Sequence, residues 1–159
     1  MDNKVVNVTF AGLGGQGVLK VSDILADAAF LAGLDVKKSE VHGMSQRGGS
    51  VCSEVRYGAE VFSPMVPTGS SDFLVVLEET QVVVNDHKLA PTGVLLTVND
   101  IDMDKLSNKK SMNVALLGFL SSYLDIPEEC WTKALKNNLP EKIQEVNFEA
   151  FKYGASLKK

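Results

Sequence analysis

Residues 4–17 read KVVNVTFAGLGGQG, and the helix-patterned VLKVSDILADAAFLAG follows as residues 18–33. Lys4 to Ala11 is β-branched and apolar on both faces, the composition of a parallel strand covered on both sides. Gly12, Gly14 and Gly17 then satisfy G-x-G-x-x-G between that strand and a helix. Within the helix Val18, Val21, Leu25, Ala28 and Ala32 recur at spacings of three and four, which makes one apolar stripe. Gly33 suits the residue just past the helix. Leu34 to Val41 (LDVKKSEV) reads as a second strand, so the strand, glycine turn, helix and strand of a nucleotide-binding α/β unit are complete within about 40 residues.

Working outward, His42 to Ser50 (HGMSQRGGS) has no period of either kind and reads as a loop at the carboxyl end of the second strand. Val51 to Ser63 alternates with period two around Gly58-Ala59, which predicts an antiparallel hairpin on an otherwise parallel sheet. Phe73 to Leu77 is a buried strand, followed by a helix from Glu78-Glu79-Thr80, a turn at Pro91-Thr92-Gly93 and a strand from Val94 to Val98. Asn113 to Tyr123, Glu128 to Asn137 and Glu141 to Tyr153 are candidate helices, with Pro127 and Pro140 suited to first helical turns. The expectation is a single domain over residues 1–159 with an α/β, Rossmann-like mixed sheet. That sheet is mainly parallel with an antiparallel hairpin, has helices on both faces, and leads into a helical C-terminal segment.

A chain of 159 residues suits one domain. With 45% apolar and 23% charged residues it has the composition of an ordinary globular protein. Its formal charge of −4 lacks the dense basic surface that a nucleic acid or an anionic membrane requires. Lys109-Lys110 and Lys158-Lys159 read as solvated charge. No secretory pattern opens the chain, and no apolar run approaches the roughly 20 residues needed to span a bilayer. A cytoplasmic protein with neither nucleic-acid nor membrane partner is the expectation. Cys52 and Cys130 have no C-x-x-C spacing and cannot hold an iron–sulfur cluster alone, so they read as reduced, partly buried thiols. No metal site and no catalytic residue is assigned.

The glycine turn has two readings. In one, Gly12 permits a tight turn, Gly14 lets a phosphate approach the backbone, Gly17 packs helix on strand, and the exposed amides of Gly14, Gly15, Gln16 and Gly17 favour an anion. In the other, the turn serves packing only. Glu40 is the best-placed carboxylate for a ribose, or else an edge charge beside Lys37 and Lys38. In the second loop Arg47 offers a fork of donors, Ser45 and Gln46 add neutral donors, and Gly48-Gly49 can form a backbone concavity. Arg47 could equally form a structural ion pair. His42, with no visible second ligand or nucleophile, reads as a hydrogen-bonded structural histidine.

AGLGGQGVL, EVHGMSQRGGSV, SEVRYG and FSPMVPTGSSDFLVVLE together resemble the gamma-type domain of the pyruvate, branched-chain, 2-oxoglutarate and indolepyruvate ferredoxin oxidoreductases. Asn113 to Gly118 and Asn147 to Gly154 are similar to the closing segments of that family, and HGMSQRGG looks closest to its indolepyruvate and related oxoacid branches. The resemblance implies a gamma subunit of a 2-oxoacid:ferredoxin oxidoreductase, an anaerobic multisubunit complex that oxidatively decarboxylates a 2-oxoacid to an acyl-CoA. It also implies that thiamine diphosphate, Mg and 4Fe-4S clusters belong to partner subunits. Those partners are thiamine-binding alpha/beta-type subunits and a ferredoxin-like subunit, with ferredoxin as acceptor. The site implied for this chain is a coenzyme A clamp of Gly12, Gly14, Gly15, Gln16, Gly17, Ser45, Gln46, Arg47, Gly48 and Gly49, or else a surface of those residues contacting only protein. The rival from another class is a free-standing NAD(P)- or flavin-dependent Rossmann oxidoreductase. The chain departs from many relatives in being shorter between Asn99 and Met112.

Overall fold

The computed structural model describes residues 4–42 and 49–158. Five strands form one sheet: β1 (Val6–Leu13), β2 (Asp35–His42), β3 (Ser50–Gly58), β4 (Ser71–Val76) and β5 (Leu89–Thr97). Their order is β2-β3-β1-β4-β5. β1 pairs with β4, and β4 with β5, in parallel, whereas β3 runs antiparallel to both β1 and β2. Four strands therefore point one way and β3 alone points back, a mainly parallel mixed sheet.

The antiparallel hairpin exists but is not the one expected around Gly58-Ala59. It joins β2 to β3, with Asp35 opposite Gly58 and His42 opposite Val51. Beyond Gly58 the alternation breaks, with Ala59 and Glu60 both exposed before Val61 at 3% and Phe62 at 86% exposure. The backbone leaves the sheet because the Val61 N–H donates to the Asp35 carboxylate at 2.8 Å and not to a neighbouring strand. The Val66 N–H donates to Glu54 at 3.0 Å, while Arg56 donates to Asn7 Oδ1 and to the carbonyls of Ser63 and Met65. These bonds lay residues 59–66 across the sheet as a strap.

Helices α1 (Val18–Leu31), α3 (Met112–Ser121), α4 (Glu128–Asn138) and α5 (Glu141–Ala155) are the long ones, and α2 (Val82–Asn85) is a single turn between short 3-10 turns. The long helices share one core with Val8, Phe10, Val55, Tyr57, Val75 and Leu96 of the sheet. On the other face Ala11, Leu74 and Val76 pack against Val82 of α2 and against Leu89. Helices therefore lie on both faces, very unequally. The helix expected from Glu78 is cut short because the chain must return to begin β5 at Leu89. The turn expected at Pro91-Thr92-Gly93 lies inside β5 as an irregularity, where the register jumps from Ser71↔Leu89 to Phe73↔Val94. Pro127 and Pro140 each sit just before their helices, with φ near −57°, ready to enter a helical turn (−56° and −58°).

Helix α1 closes at Gly33 as its sequence suggests: the Leu34 N–H donates to the Ala29 carbonyl at 3.1 Å, and the Gly33 N–H to the Phe30 carbonyl at 3.0 Å. α3 and α5 cross at two glycines. A Cβ on Gly118 would fall on the Phe151 carbonyl, and one on Gly154 on the Ala115 carbonyl. Both obstacles are backbone, so no side chain can rotate to make room. Gly154→Ala is expected to cost about 1–3 kcal/mol of stability, read as a lower thermal midpoint by circular dichroism; an unchanged midpoint would contradict this close crossing.

Candidate functional site

The carboxyl edge of β1 is where the two glycine-bearing segments come together. The antiparallel register sets Ser50 opposite Leu13 and Val51 opposite Gly12. Gly49 follows directly, and its carbonyl accepts the Gly14 N–H at 2.9 Å. The first loop is thus stitched to the end of the second. Ser45, Gln46, Arg47 and Gly48 lie outside the described residues, as does the His42 side chain.

Within the turn, the side chain of Gln16 acts as an internal brace. Its Oε1 accepts the Leu13 N–H at 2.8 Å and its Nε2 donates to Glu78 at 3.1 Å, while its own N–H donates to the Leu13 carbonyl at 3.2 Å. Gly12 packs tightly, since a Cβ there would stand 2.8 Å from Val18 Cγ2 and 2.9 Å from Gln16 Oε1. Two of the four amides assigned to an anion, those of Gly14 and Gln16, are therefore already engaged by carbonyls. Those of Gly15 and Gly17 have no acceptor among the described residues.

Both of these glycines occupy the left-handed region, at φ +90° and +80°, where an L side chain is strained. Gly17 is the residue before α1 and brings no capping side chain. The first hydrogen bond of the helix runs from the Val21 N–H to the Gly17 carbonyl, so the amides of Val18, Leu19 and Lys20 have no intrahelical acceptor and no other acceptor among the described residues. Asn113 of α3 abuts Gly17 closely enough that a Cβ there would strike its carboxamide.

A cavity of about 310 Å³ opens on these amides, walled by Leu13, Val18, Leu19 and Val51 with Gly14, Gly15 and Gly17 at its floor. Lys20 is the one charged side chain among its described lining residues. Lys20 is not among the candidate residues that the sequence singled out. Its place in the third helical position after the glycine motif is the signal that finds it. An open helix start with a lysine beside it favours a negatively charged ligand.

Glu40 belongs to a different environment. Its carboxylate accepts from Lys38 Nζ at 2.6 Å, and the same ammonium pairs with Asp23 of α1. Burial pulls the Lys38 pKa down, but the hydrogen bonds to Asp23 and Glu40 outweigh it and the net shift is upward. Because β3 lies between β1 and β2, Glu40 is held away from the strand that carries the glycine turn. A ribose role does not fit that placement.

Cys52 on β3 and Cys130 on α4 are both free and buried. Burial raises the Cys52 thiol above its usual range, with Lys88 Nζ at 3.2 Å opposing part of the shift. Among the described residues no group of three or more His, Cys, Asp or Glu side chains is placed to hold a metal ion. Among the described residues no helix is long and apolar enough to cross a membrane.

Residues 7–157 match the family model described as pyruvate ferredoxin/flavodoxin oxidoreductase. The chain is 31% identical to an indolepyruvate oxidoreductase subunit IorB of Archaeoglobus fulgidus, with 94% of this chain and 93% of the relative covered. That alignment runs over 188 positions, more than the 159 residues present here, so the relative carries residues that this chain lacks. Among solved structures, a keto/oxoacid ferredoxin oxidoreductase gamma subunit from Geobacter sulfurreducens superposes with a TM-score of 0.78 at 23% identity, covering 98% of this chain and 99% of the other. A 2-oxoglutarate:ferredoxin oxidoreductase from Magnetococcus marinus, solved with 2-oxoglutarate, coenzyme A and succinyl-CoA bound, superposes with a TM-score of 0.84 at 22% identity. There 98% of this chain corresponds to 31% of the other chain, a domain within a longer polypeptide.

Gln16→Leu removes the brace and leaves the Leu13 N–H without its acceptor, and is expected to lower stability by about 1–3 kcal/mol, measured by urea unfolding. Cys52 should stay unmodified by an aromatic disulfide reagent at neutral pH in the native chain and react once denaturant is added. Rapid native labelling would contradict its burial.

Proposed function

Because the chain belongs to the pyruvate ferredoxin/flavodoxin oxidoreductase family, we propose that it serves as the gamma-type subunit of a cytoplasmic 2-oxoacid:ferredoxin oxidoreductase and that its glycine rim positions coenzyme A. The observation that supports the second part is the Gly14 to Gly49 hydrogen bond, which joins Gly49, the described end of the second loop, to the glycine turn. A phosphate group of coenzyme A is received by the amides of Gly15, Gly17 and the first turn of α1, with Lys20 and Arg47 offsetting its charge. Gly12, Gly14 and Gln16 shape the turn and do not themselves bind.

In the overall reaction a 2-oxoacid loses CO2, two electrons leave toward ferredoxin, and the coenzyme A sulfur takes up the acyl group as its thiol proton departs. Thiamine diphosphate with Mg and the 4Fe-4S clusters supply the carbon and electron chemistry, and in this reading they belong to partner subunits. What this chain adds is placement: a tethered thiol meets the acyl group at a far higher effective concentration than a free one. The apolar wall of the cavity, from Leu13 to Val51, suits the less polar arm that follows the phosphates. A free-standing NAD(P) or flavin enzyme is poorly supported, because the ribose-binding carboxylate such an enzyme needs next to β1 is displaced by β3.

In the assembled complex, Arg47→Ala and Lys20→Ala are each expected to raise the apparent KM for coenzyme A about tenfold, with the KM for the 2-oxoacid unchanged. An unaltered coenzyme A requirement in both variants would reject the clamp and leave the loops a protein-contacting role.

A further inference from the structure

At the amino edge of β1, β4 and β5, far from the glycine rim, the sheet and the link between α3 and α4 enclose a cavity of about 340 Å³. Its apolar wall is the Phe73 and Tyr123 pair, whose ring centroids lie 5.7 Å apart with planes tilted by 58°. Its polar groups include the Tyr57 hydroxyl and the carboxylates of Asp72 and Asp125. Asp72 Oδ2 accepts the Asn7 N–H at 2.8 Å, which fixes that carboxylate at the cavity wall. Neither Asp72 nor Asp125 forms an ion pair among the described residues.

Tyr57 is the informative member. Its residue is 5% exposed, yet its hydroxyl has no hydrogen-bond partner among the described residues and is not sealed from solvent. Its remaining exposure is the cavity it lines. The side chain is thus held in place by its burial while its oxygen keeps free hydrogen-bonding capacity on the cavity side, where an outside donor can use it. Burial, followed by the charges of Asp72 and Asp125, holds its pKa far above the usual phenol range, so it stays neutral. Lys4 at the cavity edge brings one positive charge against two negative ones.

We propose that this cavity binds a guanidinium group, stacked on one ring of the Phe73 and Tyr123 pair and with its N–H donors directed to Asp72, Asp125 and the Tyr57 oxygen. A guanidinium combines the three properties the lining asks for: positive charge, a weakly hydrated flat face that stacks on aromatic rings, and several N–H groups in a fixed fork. A compact ammonium lacks the flat face. A metal ion lacks its ligand set, since no three His, Cys, Asp or Glu side chains converge among the described residues. The Tyr123 ring also attracts a cation outside this cavity, with Lys158 Nζ 4.5 Å from its centroid.

The chain contains three tyrosines, Tyr57, Tyr123 and Tyr153, so ring-labelled tyrosine gives a small set of resolvable NMR signals. On titrating the full chain with methylguanidinium chloride at constant ionic strength, saturable shifts are expected at Tyr57 and Tyr123 and none at Tyr153. Asp125→Asn, at an exposed position, should weaken the binding about tenfold. Tetramethylammonium, with the same charge and no N–H donors, should not saturate. Absence of a saturable Tyr57 shift, or equal affinity in Asp125→Asn, overturns the proposal. Repeating the titration on the assembled complex separates two sources of the group. Tyr57 and Tyr123 signals already at their bound positions and unresponsive to the probe identify an arginine side chain of a partner subunit. Signals that still titrate identify a free small molecule. None of this depends on the coenzyme A reading, which concerns the other end of the sheet.

Discussion

The hydrogen bond from the Gly14 amide to the Gly49 carbonyl is the constraint from which the rest of the carboxyl edge follows. It exists because β3 runs back along β1 over its full length, from Val6 opposite Tyr57 to Leu13 opposite Ser50. That return strand carries the second loop to the glycine turn and at the same time moves β2 one place outward. One strand reversal therefore joins two segments distant in sequence and removes Glu40 from the neighbourhood in which a dinucleotide-binding domain keeps its acidic residue. It also limits the anion site, since an amide bonded to Gly49 is not available to a ligand.

The first forty residues were legible because each signal is local. The alternation-free strand, the glycine spacing, the three-and-four periodicity of Val18, Val21, Leu25 and Ala28, and the terminating Gly33 all act within a few residues of one another. The hairpin was misplaced for the opposite reason. The residue pattern from Val51 runs past Gly58 in the sequence, but the partner of the Val61 amide is a carboxylate 26 residues away, which no local pattern encodes. The same limit hid the role of Gln16. Its identity suggests a donor for a ligand, while its contacts with Leu13 and Glu78 make it part of the turn. Lys20 was overlooked because a charged residue on an amphipathic helix reads as solvated until the cavity beside it is known.

The two ends of the sheet differ in electrostatic character. At the carboxyl end, open amides at the start of α1 and the Lys20 side chain give a positive rim. At the amino end Asp72 and Asp125 stand beside a phenol and two aromatic rings. The core that separates them is shared by α1, α3, α4 and α5, so the ends are held at a fixed separation by close-packed, poorly compressible material.

The strands at the two margins of the sheet bear on how this chain survives alone. β2 and β5 each pair on one side only, which leaves rows of backbone groups able to recruit a foreign strand. β2 carries Lys37 and Lys38 in its middle, and β5 contains Pro91 within its irregular stretch. Charged side chains on an edge strand disfavour its pairing with another strand and a proline interrupts the ladder, so neither margin is a good template for cross-β growth. A polypeptide destined for a larger assembly is thereby guarded against polymerising during the interval between its synthesis and the arrival of the other chains.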